Sequence, residues 1–125
     1  NLEIMAYIRG MAISGCSPEI MGIGPVISSM KALKRAGLNL KDIDIIEMNE
    51  AFAAQSLACV KELGVDMSKL NIHGGALALG HPLGASGARI TGKAASLLQA
   101  EGGRYALSTM CVGGGQGCAT VLERA

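Results

Sequence analysis

Short apolar runs of strand length alternate with longer amphipathic stretches along nearly the whole chain, and few folds accommodate that alternation. The mixed apolar run from Leu2 to Ile13 reads as a long strand ending at Gly15-Cys16-Ser17-Pro18. Pro25 then opens a helix at its favoured first position, with Val26, Met30 and Leu33 on one face and Gly37 as its stop. Ile43 to Ile46 form a buried strand, and Glu50 to Leu63 a second helix with Phe52, Cys59 and Leu63 spaced for the core. Leu70-Asn71-Ile72 is a weaker third strand. After an irregular stretch, Ser86 can cap a helix running to about Glu101 that buries Ile90, Ala94, Leu97 and Leu98. Tyr105 to Met110 and Ala119 to Leu122 close the chain as an antiparallel pair around a glycine turn. The pattern predicts an α/β layered domain: a five-stranded, mostly parallel mixed sheet with helices on both faces.

A chain of 125 residues fits one domain spanning residues 1–125. Half of the residues are hydrophobic and 17% are charged, the balance of a well-packed globular protein. With a net charge of +1 and no run of like charge, the chain builds no field for nucleic acid. No apolar stretch is long enough to span a membrane and no export signal is visible, which points to a cytoplasmic protein. Cys16, Cys59, Cys111 and Cys118 lack C-x-x-C spacing and are expected to be free thiols, and with two histidines a zinc site is not expected. The 18 glycines cluster, so they serve something local.

Three unusual segments follow strands, where ligands bind in open α/β sheets. They are Asn49-Glu50-Ala51-Phe52-Ala53-Ala54-Gln55, the loop Gly74 to Gly87, and Cys111-Val112-Gly113-Gly114-Gly115-Gln116-Gly117. His81, between Gly80 and Pro82, sits on an unusual backbone and suits general base or hydrogen-bond work near neutral pH; the alternative is a surface or core histidine. Cys111 runs into glycines whose amides can stabilise an oxyanion; the alternative is a small buried hydrophobe. Asn49 can hold a water or simply cap a helix. His73, at a strand end, reads as structural.

These segments resemble the thiolase signatures N-E-A-F-A, G-H-P-x-G-x-S-G and C-x-G-G-G-x-G, present intact and in order, and the likeness extends to Met21-Gly22-Ile23-Gly24-Pro25. The resemblance implies a C-terminal thiolase domain acting in reversible Claisen condensation of acetyl-CoA and thiolysis of 3-ketoacyl-CoA. On that likeness His81 activates a nucleophilic cysteine, and Cys111 is the acid/base cysteine. Asn49 fixes a water that forms an oxyanion hole with His81, and the Gly113 amide serves a second. Met21, Ala51 and Phe52 touch the pantetheine arm. Coenzyme A and acyl-CoA enter as substrates, with no covalently bound cofactor and no metal. The complete enzyme is expected to be a homo-oligomer of fatty acid metabolism, with no nucleic acid or membrane partner.

The pattern is incomplete in one respect, because no motif for the nucleophilic cysteine is present. Cys16 precedes Ser17-Pro18, the wrong context, while Cys59 and Cys118 read as packing residues. Asn1 is no natural start, so the chain is expected to be a fragment, inactive until an N-terminal half is supplied. Two other readings are a noncatalytic coenzyme A-binding or assembly module, and a ketoacyl carrier-protein synthase. The second of these shares a Gly-His loop but lacks the acid/base cysteine.

Overall fold

A computed structural model describes residues 2–125. The elements in chain order are β1 (Ala6–Gly15), α1 (Gly24–Ala36), β2 (Ile45–Met48), α2 (Ala53–Leu63), the one-turn α3 (Ala76–Leu79), α4 (Ser86–Ala100), β3 (Tyr105–Val112) and β4 (Gln116–Arg124). The strands form one sheet in the order β1-β4-β3-β2. No helix among the described residues is long and apolar enough to cross a membrane.

The sheet has four strands, not the five expected. Leu70 makes only an isolated parallel bridge to Ile46. The reason lies in Asn71, whose left-handed φ of 45° ends any extended run. Its side chain replaces the missing backbone: Asn71 Oδ1 accepts from the Met48 amide at 3.0 Å and Nδ2 donates to the Met48 carbonyl at 2.9 Å. The expectation of a mostly parallel sheet also fails, since only β2 and β3 pair in parallel. The β3–β4 hairpin places β4 between β3 and β1, so β4 runs against both neighbours while the other three strands share a direction.

Helices cover both faces, as the alternation predicts. On one, Ala32 and Leu33 of α1 pack with Ala12, Ile46, Leu107, Ala119 and Val121, and Val60 and Leu63 of α2 close the edge. On the other, Ala94, Leu97 and Leu98 of α4 pack on Ile45, Ala106 and Leu122. The face of α1 differs from expectation, because Met30 is exposed and the buried residues are Pro25, Ser28, Ser29, Ala32 and Leu33. Such small residues let the helix approach the sheet closely. A Cβ on Gly10 of β1 would stand 2.7 Å from the Ala32 carbonyl. Phe52 is likewise exposed, standing just before α2, and Ser86 begins α4 instead of capping it.

Two packing details carry measurable consequences. Gly24 and Gly117 bring the start of α1 and β4 into backbone contact, leaving no space for a Cβ on either residue. Gly117→Ala is expected to lower stability by about 1–3 kcal/mol through overpacking, read from the protein's denaturant unfolding curve. The second detail is the buried Glu47 of β2, whose carboxylate lies 3.0 Å from Lys93 Nζ on α4. Burial pushes the Glu47 carboxyl above its usual range, and Lys93 opposes that shift. Lys93→Met therefore leaves an uncompensated buried carboxylate and is expected to cost about 1–3 kcal/mol at neutral pH. A group raised in the fold favours folding when protonated and loses that contribution as pH rises through its folded value. The deficit of the variant should thus shrink as unfolding is measured at increasingly acid pH.

Candidate functional site

The site grows from the C-terminal ends of β2 and β3. The Asn49 amide donates to the Thr109 carbonyl at 2.9 Å, carrying the parallel register one step beyond β2, and its side chain is fully buried. Asn49 does not cap a helix, because α2 begins four residues later at Ala53 and Phe52 holds the cap position. Its Nδ2 instead lies 3.4 Å and 3.3 Å from the two ring nitrogens of His81. Its Oδ1 is buried without a hydrogen-bond partner.

Glu50 ties the neighbouring loop to this strand end. One carboxylate oxygen accepts from Asn71 Nδ2 at 2.7 Å, the other from the Leu77 amide at 2.9 Å. Gly75 lies against the same carboxylate, so a Cβ there would push the Glu50 carboxylate out of these hydrogen bonds. The loop is thereby fixed through α3 to Gly80, whose φ of 92° turns the chain into His81. Beyond Pro82 the chain enters α4, and its first residue, the fully buried Ser86, sets Oγ 2.5 Å from His81 Nδ1 and 3.1 Å from the Pro82 carbonyl.

Cys111 lies on β3 opposite Gly117, buried, and burial raises its thiol pKa above the ordinary value. The strand passes through Val112 into the turn Gly113-Gly114-Gly115, where Gly114 and Gly115 have φ of 80° and 86°. The Cys16 amide donates to the Gly115 carbonyl at 2.7 Å, so the end of β1 braces this turn.

These elements enclose a cleft of about 410 Å³ lined by Met21, Ala51, Phe52, His81, Leu83, Met110, Cys111, Val112 and Gly113. Six of the seven residues singled out in the sequence line it, and the seventh, Asn49, backs His81. Its walls are mainly apolar, with one imidazole and one thiol converging. A larger groove of about 550 Å³, beside the C-terminal ends of α1 and α2, contains neither group.

Other candidates lie apart. Cys59 is buried in α2, where it donates to the Gly22 carbonyl at 3.2 Å, and Cys118 is half-buried in β4; burial raises both thiols. All four cysteines are unpaired. His73 is an exposed turn residue 3.3 Å from Glu101. Glu50, Asn71 and the contact of Ser86 with His81 were not foreseen. A polar Asn71 between Leu70 and Ile72, at a position a strand would bury, was the available signal.

The thiolase C-terminal domain model matches residues 2–124. The chain is 60% identical over 127 aligned positions to a 3-ketoacyl-CoA thiolase of Vibrio parahaemolyticus, covering 99% of this chain and 32% of that protein. It is 58% identical to a 3-ketoacyl-CoA thiolase of Shewanella loihica, covering 100% of this chain and 33% of the relative. The crystal structure of human mitochondrial 3-ketoacyl-CoA thiolase superposes with a TM-score of 0.97 at 53% identity, over 98% of this chain and 31% of that one, and the same enzyme in complex with CoA superposes equally well. The chain thus spans about a third of the length of the relatives it matches. With family model, identity and fold in agreement, the chain belongs to the thiolase family, as its C-terminal domain.

Proposed function

We propose that the chain is the C-terminal catalytic half of an acyl-CoA C-acyltransferase. The reaction is the reversible Claisen condensation of acetyl-CoA and the thiolysis of 3-ketoacyl-CoA in fatty acid metabolism. It requires an N-terminal half that supplies a nucleophilic cysteine. The observation that carries this reading is the convergence of His81, Cys111 and Gly113 on one apolar cleft, with Asn49 behind the imidazole.

In thiolysis His81 takes the proton of the supplied cysteine, whose thiolate attacks the 3-keto carbonyl. The carbon–carbon bond breaks, its electron pair passes to the enolate of acetyl-CoA, and Cys111 protonates that carbon. Because burial raises the Cys111 thiol, it holds its proton at neutral pH and can deliver it, as the role requires. Coenzyme A then gives its thiol proton to the Cys111 thiolate and attacks the acyl-enzyme, and the departing cysteine thiolate recovers its proton from His81, so both groups return to their starting states. On the family likeness Asn49 fixes a water that forms, with His81, the oxyanion hole for the enolate oxygen; its amide standing 3.3 Å from His81 Nε2 supports that reading. The Gly113 amide serves the oxyanion of the acyl-transfer step, a donor worth about 3 kcal/mol in comparable sites.

Met21, Ala51 and the exposed Phe52 offer an apolar wall to the pantetheine arm of coenzyme A, which enters as substrate. Exposed Met11 and Ile13 on β1, and Leu77, Leu79 and Leu83 around the His81 loop, offer apolar area for packing of the N-terminal half. The complete enzyme is a cytoplasmic homo-oligomer.

Coenzyme A-dependent cleavage of acetoacetyl-CoA tests the reading. The intact protein is expected to turn over and this chain alone to be silent; silence of both, with each folded, would favour a noncatalytic coenzyme A-binding module. In the intact protein Cys111→Ser should lower kcat by about 10²- to 10⁴-fold. Retention of full rate by that variant would remove Cys111 from the mechanism.

A further inference from the structure

We propose that Ser86 is a positioning residue that holds His81 in the tautomer protonated on Nδ1, leaving Nε2 as the nitrogen able to accept a proton. The inference rests on the reading of His81 as a general base.

A serine hydroxyl carries one hydrogen and two lone pairs, and a neutral imidazole carries one N–H and one bare nitrogen. Ser86 Oγ has two polar neighbours, the Pro82 carbonyl at 3.1 Å and His81 Nδ1 at 2.5 Å. The carbonyl can only accept, and it already takes the amides of Ala85 and Ser86 in the first turn of α4. If the hydroxyl turned its hydrogen to Nδ1, two oxygens would face each other at 3.1 Å with no proton between them, in a place closed to water because Ser86 is fully buried. With the hydrogen toward Pro82, the Oγ lone pair faces Nδ1 and requires the proton to reside there. Every group then has a partner.

Asn49 does not make this choice. Its Nδ2 stands at nearly equal distances from both ring nitrogens, in line with neither, so it supports the ring without selecting a tautomer. Among the described residues Ser86 is thus the group that distinguishes the two nitrogens of His81. Once Nε2 has taken a proton, the ring is cationic and the Nδ1–H bond to Ser86 becomes charge-assisted, which strengthens it at the moment of nucleophile activation. The sequence separation makes this possible: Pro82 to Ser86 is one helical turn, so the carbonyl that orients the hydroxyl belongs to the residue next to the histidine.

The test uses the intact protein labelled with 15N-histidine, because the imidazole nitrogen shifts distinguish protonated from bare nitrogens. His81 is assigned by the signals missing from His81→Asn. The parent is expected to show Nδ1–H and a bare Nε2. In Ser86→Ala that pattern should give way to a mixture of tautomers, with kcat for acetoacetyl-CoA cleavage about 10- to 100-fold lower and KM little changed. An alanine variant that keeps the Nδ1–H pattern overturns the proposal, as does one that loses the pattern at undiminished rate. Should the parent itself fail to cleave acetoacetyl-CoA, the functional reading falls separately, and the spectra still decide whether Ser86 sets the tautomer.

Discussion

The site depends on one side-chain amide. Asn71 bonds both backbone groups of Met48 and one oxygen of Glu50, and Glu50 in turn holds the Leu77 amide. In this way the edge of the sheet, the residues after β2 and the loop leading to His81 become one hydrogen-bonded unit. Replacing a fourth ladder partner by a single side chain leaves the loop free to be irregular, and irregular backbone is what turns the imidazole toward the cleft. Buried polar networks of this kind favour one arrangement because each member left alone would be an unsatisfied group in a dry environment.

Much of the architecture was legible in the sequence because it follows from periodicity. The α4 face of Ile90, Ala94, Leu97 and Leu98 is buried as spaced, and Gly37 and Gly64 end their helices in left-handed conformation. Periodicity alone failed where small residues decided the packing. Met30 looked like core, yet close approach of α1 to Gly10 rotates Ser28, Ser29 and Ala32 inward and leaves Met30 outside. The Leu70–Ile72 run failed for a different reason: its apolar flanks resemble a strand, but the residue between them spends its own amide on the ladder. The antiparallel closing pair was legible, but not that it sets β4 between β3 and β1, which makes two of the three strand pairings antiparallel.

For the site, the residue types in the three signature segments were sufficient to place five positions around a single cleft, and the Met21–Pro25 segment added a sixth. What they could not convey was the supporting layer. Glu50 stood within a recognised segment and Ser86 at a helix start, each with an ordinary local explanation. Only the three-dimensional arrangement, in which Ser86 Oγ reaches back to His81 and Glu50 reaches across to Leu77, separates them from caps and solvated charges.

The contact between Gly24 and Gly117 has a bearing on adaptation. It ties the segment carrying Met21 to the strand that pairs with Cys111, so one wall of the cleft is joined to the thiol by close backbone packing. Phe52 and Leu83, exposed and outside that contact, form the opposite wall. A side chain exchanged at Leu83 would therefore reshape the cleft without disturbing the backbone that places the sulfur.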